Sequence, residues 1–172
     1  GAGQLGNKSE ANSPIPVTVL VQDGTPLTSI QKIYAAKEGT CALLTNETVT
    51  CWGNGTDGLL GDGTSENRLY AGPTVGITEI VSMSTPPDDN RACAVTRQGA
   101  VFCWGHEWSP SASNLTPVQK SGITDATSIS VSQYHSCVMT AGSTFKCWGG
   151  GNWEKQTGTT QVSGDIYTTP GL

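Results

Sequence analysis

The chain has 172 residues, a formal net charge of −5, 13% charged residues and 22 glycines. That length suits one domain of ordinary size, and the sparse charge and abundant glycine suit short strands and turns better than helices. Nine Lys and Arg in an acidic chain argue against nucleic acid as a partner, and apolar runs such as 15–21 fall far short of the roughly 20 residues that a membrane helix needs.

The opening Gly1-Ala2-Gly3-Gln4 lacks the basic start and apolar centre of a signal peptide. The chain therefore reads as one from which such a segment was removed, or as part of something longer. Pro16-Val17-Thr18-Val19 and the looser phrase Thr28-Ser29-Ile30-Gln31-Lys32-Ile33 precede a first cysteine pair, Cys41 and Cys51. Gly72-Pro73-Thr74-Val75 and Gly76-Ile77-Thr78-Glu79-Ile80-Val81-Ser82-Met83 precede a second pair, Cys93 and Cys103. Pro117-Val118 and Gly122-Ile123-Thr124-Asp125-Ala126-Thr127-Ser128-Ile129 precede a third, Cys137 and Cys147. Apolar and polar residues alternate in the phrase before each pair, as on a half-buried strand. Nine residues separate the members of every pair, and Trp-Gly follows each second member, at Trp52, Trp104 and Trp148. These anchors lie 52 and then 44 residues apart. About four short strands per period is the pattern of propeller blades.

Each cysteine pair reads as a hairpin. A two-residue turn pairs positions an odd number apart, whereas the paired cysteines lie ten apart. A three-residue loop ending in a left-handed residue restores the match, and Gly99 supplies that conformation without strain. Facing cysteines at a non-hydrogen-bonded pair then come close enough to bond. Closing an 11-residue loop stabilises by about 3 kcal/mol in the chain-entropy model. Reduced buried thiols and a metal site are the alternatives. Zinc ligands come as closer pairs, and His106 and His135 do not recur with the cysteines.

Trp52 to Gly63 resembles the blade junction of the RCC1-like repeat family, W-G-x-N-x-x-G-Q-L-G-x-G, with Gly55 in place of Asn and Leu59 in place of Gln. Gly3-Gln4-Leu5-Gly6 carries the same element intact, and Tyr134-His135-Ser136-Cys137-Val138-Met139 resembles the family's H-T/S-x-A-L strand. The Cys-Trp-Gly form is similar to secreted and cell-surface branches of that family. The likeness covers roughly residues 1–150. After Trp104 and Trp148 the Gly-Gln-Leu-Gly element is replaced by His106-Glu107-Trp108-Ser109-Pro110 and by Gly150-Gly151-Asn152-Trp153.

The resemblance implies an all-β fold, a partial β-propeller of four-stranded blades cut from a seven-bladed wheel. The expected divisions are blades at 1–53, 54–105 and 106–149, with 150–172 a partial blade or irregular segment. An incomplete ring would leave open edges, so the whole chain is expected to be a segment of a longer propeller or to be completed by another chain.

Four Asn-x-Ser/Thr sequons occur, at Asn7, Asn46, Asn54 and Asn114. Asn46 is the strongest glycosylation candidate, because it tips a hairpin that must face solvent; the bland reading is turn asparagines. Trp52, Trp104 and Trp148 recur with the repeat and read as packing between blades. Trp108 and Trp153 fall outside it, in irregular loops, and are candidates for anchoring a partner or stacking on a sugar. Asp57, Asp62, Asp88 and Asp89 do not form a calcium loop, and neither a nucleophile elbow nor a phosphate-cradling Gly-Lys-Ser/Thr appears. No cofactor, metal or catalytic residue is implied.

The function expected is a non-catalytic extracellular binding or structural module: an adhesin, receptor ectodomain or surface assembly. Its expected partners are proteins, further blades completing the propeller, or a glycan. The alternative is an intracellular guanine-nucleotide exchange factor or chromatin-binding scaffold like the family's founding member. Acidity and paired cysteines argue against that alternative.

Overall fold

The computed structural model describes residues 1–106 and 113–149 and the backbone of a strand at 167–169. Among the described residues twelve strands form three four-stranded antiparallel sheets, each with its strands in sequence order. The first holds β1 (Ile30–Ala35), β2 (Gly39–Leu44), β3 (Val49–Gly53) and β4 (Arg68–Pro73). In the second are β5 (Ile80–Ser84), β6 (Arg91–Thr96), β7 (Val101–Gly105) and β8 (Asn114–Gln119). The third contains β9 (Ala126–Val131), β10 (His135–Thr140), β11 (Phe145–Gly149) and β12 (Tyr167–Thr169). This is the all-β, blade-by-blade architecture expected from the repeat.

Loop chemistry sets the register of the hairpins. Leu44 pairs with Thr48, Thr96 with Ala100 and Thr140 with Thr144 through main-chain bonds of 2.8–2.9 Å, leaving three-residue loops at 45–47, 97–99 and 141–143. The last residue of each loop is left-handed: Glu47 (φ 63°), Gly99 (φ 83°) and Ser143 (φ 58°). Only at 99 is glycine required, since a Cβ there would lie 2.7 Å from the Thr124 carbonyl oxygen. The two other loops tolerate the conformation in a polar residue. The registers place Cys41 opposite Cys51, Cys93 opposite Cys103 and Cys137 opposite Cys147. All three pairs are disulfides, with Cα atoms 4.1 Å apart, a separation that belongs to close non-hydrogen-bonded positions.

Burial follows from stacking the sheets face to face. The inner strands β3 and β6 are buried along their whole length. Their sequences, Val-Thr-Cys-Trp-Gly and Arg-Ala-Cys-Ala-Val-Thr, accordingly do not alternate between apolar and polar, because both faces are covered. By contrast the outer strand β8 is open to solvent. One apolar cluster joins Leu43, Val49 and the first disulfide to Ile80, Met83, Ala94 and Trp104 of the second sheet. Another joins Val95, Val101 and the second disulfide to Ala126, Ile129, Val138 and Trp148 of the third.

Sheets and Trp-Gly segments run out of phase. Residues 54–105 contribute β4 to the first sheet and then β5–β7 to the second. Residues 106–149 likewise contribute β8 and then β9–β11. Residues 74–79 and 120–125 therefore join each sheet covalently to the next.

Candidate functional site: the junction loops and the rim

Trp52 and Trp104 are each seated by a junction loop that arrives from elsewhere in the chain. The Trp104 indole Nε1 donates to the Leu59 carbonyl at 2.8 Å, and Trp52 Nε1 donates to the Gln4 carbonyl at 3.0 Å. Gly61 and Gly6 are the residues against which these rings lie. A Cβ at Gly61 would come within 2.9 Å of Trp104 Nε1, and one at Gly6 within 2.8 Å of Trp52 Nε1. Both glycines are also left-handed, at φ 64° and 65°. The Gly-x-Leu-Gly element thus exists so that backbone can approach an indole face and satisfy its N–H.

The loops that enter β2, β6 and β10 form one rim with the residues that follow Trp-Gly. Glu38 Oε2 accepts from Asn54 Nδ2 at 3.0 Å and from Asn90 Nδ2 at 3.3 Å. Asp89, only 8% exposed, accepts from the Asn90 main-chain N–H at 2.8 Å and lies 2.9 Å from His106 Nδ1. His135 Nδ1 lies 2.9 Å from Ser132 Oγ within its own tight turn. Arg91 is 2% exposed, and its guanidinium donates to the Ser132 and Gln133 carbonyls, tying the second sheet to the third. Asp88 and Tyr134 are exposed beside these groups. Among the described residues no three His, Cys, Asp or Glu side chains converge as a metal ion would require. The rim can offer hydrogen bonds and negative charge to a partner.

A cleft of about 560 Å³ opens at the first sheet, lined by Val21, Leu27, Leu44, Tyr70 and Pro73 among others. Asp23 stands on its lip. Its carboxylate accepts from the Thr25 main-chain N–H at 2.8 Å and from Thr25 Oγ1 at 2.7 Å. These bonds hold its pKa below the ordinary carboxylate value.

The sequons meet different surroundings. Asn46 is exposed at the tip of the first hairpin, and its carboxamide oxygen accepts from Thr48 Oγ1 at 2.7 Å. Asn54 spends its amide nitrogen on Glu38. Asn7 is half-buried, with its Oδ1 buried and unpartnered among the described residues. Asn114 is half-buried where β8 begins. Trp108 and Trp153 lie outside the described residues. Sequence reasoning missed the roles of Arg91 and Glu38, because nothing local marks a strand-entry arginine or a loop glutamate as a tie between sheets.

No family model matches the chain. Solved structures do. Human WBSCR16 superposes with a TM-score of 0.68 at 16% identity, over 82% of this chain and 38% of that one. Yeast RCC1 (Prp20), in a structure bound to Kap60, gives 0.66 at 15% identity, over 83% and 36%. Prp20p from Saccharomyces cerevisiae, described with its binding to Gsp1p and histones, gives 0.58 at 17% identity, over 77% and 36%. The chain thus spans a little over a third of each of these proteins. Likeness at such identities speaks for the fold: this chain is built of RCC1-like propeller blades.

Proposed function

We propose that the chain is a non-catalytic binding or structural module of an extracellular or cell-surface protein, and that its loop rim and blade faces engage protein partners. The observation that carries this reading is the three disulfides. Every cysteine of the chain is bonded within its own hairpin, at the same register in each blade. Such bridges persist in oxidising compartments and are rare in the cytosol. Asn46 adds support, since it is exposed at the tip of the first hairpin. The solved neighbours bound to Kap60, or described with Gsp1p and histones, lend the general idea of a propeller that binds proteins. Their fold is also what favours the second reading, an intracellular exchange or chromatin scaffold.

The two readings differ in the state of the sulfur. The protein is taken from its source cells, alkylated under denaturing, non-reducing conditions, and weighed before and after N-glycosidase treatment. The extracellular reading expects no alkylated cysteine and one removable glycan, absent in Asn46→Gln protein. Six alkylated cysteines would contradict it and favour the intracellular scaffold.

A further inference from the structure

We propose that the Asp23-Gly24 turn is a site of spontaneous covalent modification, isomerisation of the aspartate through a succinimide, and that Thr25 restrains it. Asp-Gly bonds are open to this chemistry because glycine carries no side chain to hinder attack by its nitrogen on the preceding carboxyl. The chain has three of them, at 23–24, 57–58 and 62–63. In the reaction the Gly24 nitrogen bonds to Asp23 Cγ, and one carboxyl oxygen leaves as water with the carboxyl proton and the amide proton. Water then opens the ring at the Asp23 main-chain carbonyl carbon, so that the chain runs on through Cβ and Cγ. One water is lost and one regained, and no other reactant is needed. The step is therefore open to an extracellular or an intracellular protein alike.

The fold closes two of the three sites. Attack requires the glycine N–H to leave its acceptor and the peptide plane to turn over. Gly63 N–H donates to the Leu115 carbonyl of β8 at 2.9 Å, and the Asp62 carboxylate accepts from Thr64 Oγ1 at 2.9 Å and pairs with Arg68. Gly58 is buried, its N–H donates to the Gly55 carbonyl at 2.9 Å, and a Cβ there would lie 2.7 Å from the Asn114 carbonyl oxygen. Asp23-Gly24 is held only by its own turn. Gly24 N–H donates to the Val21 carbonyl at 3.0 Å, both residues are exposed, and a Cβ at Gly24 would meet nothing within 4 Å. Turns of that kind open at the least cost in free energy. The openness belongs to the turn itself. Leu20 N–H donates to the Gly6 carbonyl as Val75 N–H does to Gly61, and Val75-Gly76, between the first two sheets, is exposed as well. What slows the reaction is Thr25, whose main-chain N–H and hydroxyl both donate to Asp23 Oδ1. They favour the carboxylate, and water leaves only from the neutral carboxyl. Val21, Gln22 and Asp23 line the cleft at the first sheet, and Val21 pairs with Ala71 of β4. An extra main-chain methylene in the turn would loosen that pairing, so the modification acts on the lip of the cleft.

The test keeps the full folded chain, bridges intact, at neutral pH and body temperature and maps its peptides for isoaspartate over time. Isoaspartate is expected first at 23, accumulating about tenfold faster than at 57 or 62. In urea with the bridges reduced, the three sites should react at similar rates, which separates the effect of the fold from that of the dipeptide. Thr25→Val removes the hydroxyl donor and keeps the main-chain one, and it should raise the rate at 23 about tenfold. Asp23→Glu, whose longer side chain cannot close the succinimide, should form no isomer there. Isoaspartate appearing first at 57 or 62 in the folded chain would overturn the proposal. So would equal rates at 23 with and without the Thr25 hydroxyl, or a folded chain that forms none at 23 while the unfolded chain reacts.

Discussion

Trp104→Ala is expected to lower the stability of the oxidised protein by about 4 kcal/mol, within the range for deleting a buried tryptophan. The ring is fully buried, between Leu59 and Leu60 of the junction and Ile80, Met83 and Ala92 of the second sheet. Truncation opens a cavity there and also strands the Leu59 carbonyl, which now accepts from the indole at 2.8 Å. Gly61 cannot relax into the space without giving up its left-handed turn. Trp104→Phe keeps most of the volume and loses the hydrogen bond, so its cost should be nearer 1–2 kcal/mol. Trp52→Ala should cost less than Trp104→Ala, because Trp52 belongs to the smaller cluster with Ala42 and Ala71 at the uncovered face. Urea denaturation of the purified variants gives the three values and their order.

Replacing Cys93 and Cys103 together by alanine is expected to cost about 3 kcal/mol or more, chiefly through the loop-closure entropy returned to the unfolded chain. Packing adds to that figure, since Cys93 is 0% exposed and Cys103 5%, both within the cluster that joins the second sheet to the third. The Cys137–Cys147 bridge closes a loop of equal length but is only half-buried. Its removal should therefore cost less than removal of the central bridge. Equal losses would mean that packing between sheets contributes nothing. Denaturation of the two double variants, with the wild type reduced and oxidised as references, decides the matter.

The repeat was legible because its signals are local and survive folding unchanged. Ten-residue separation, a left-handed loop residue and the close register of facing cysteines all belong to one hairpin, and Gly99 shows the second requirement in a single residue. Blade stacking was legible from the recurring Trp-Gly, although the out-of-phase junctions were not. That Gly61 exists to meet an indole 43 residues later becomes clear only when β7 is in place. Arg91 shows the opposite limit. Its sequence context is that of a surface charge before an apolar strand, yet the turn at 132–133 of the next sheet surrounds it. Ile33 and Met83 occupy equivalent positions in similar strands and end up exposed and buried, because their burial is decided by the neighbouring sheet and not by their own segment.

Non-reducing proteolysis with mass mapping of the cross-linked peptides tests most directly whether each blade is clamped within its own hairpin. Three links are predicted, Cys41–Cys51, Cys93–Cys103 and Cys137–Cys147, and no others. A link between repeats, such as Cys51 to Cys93, or six unlinked cysteines would contradict the account.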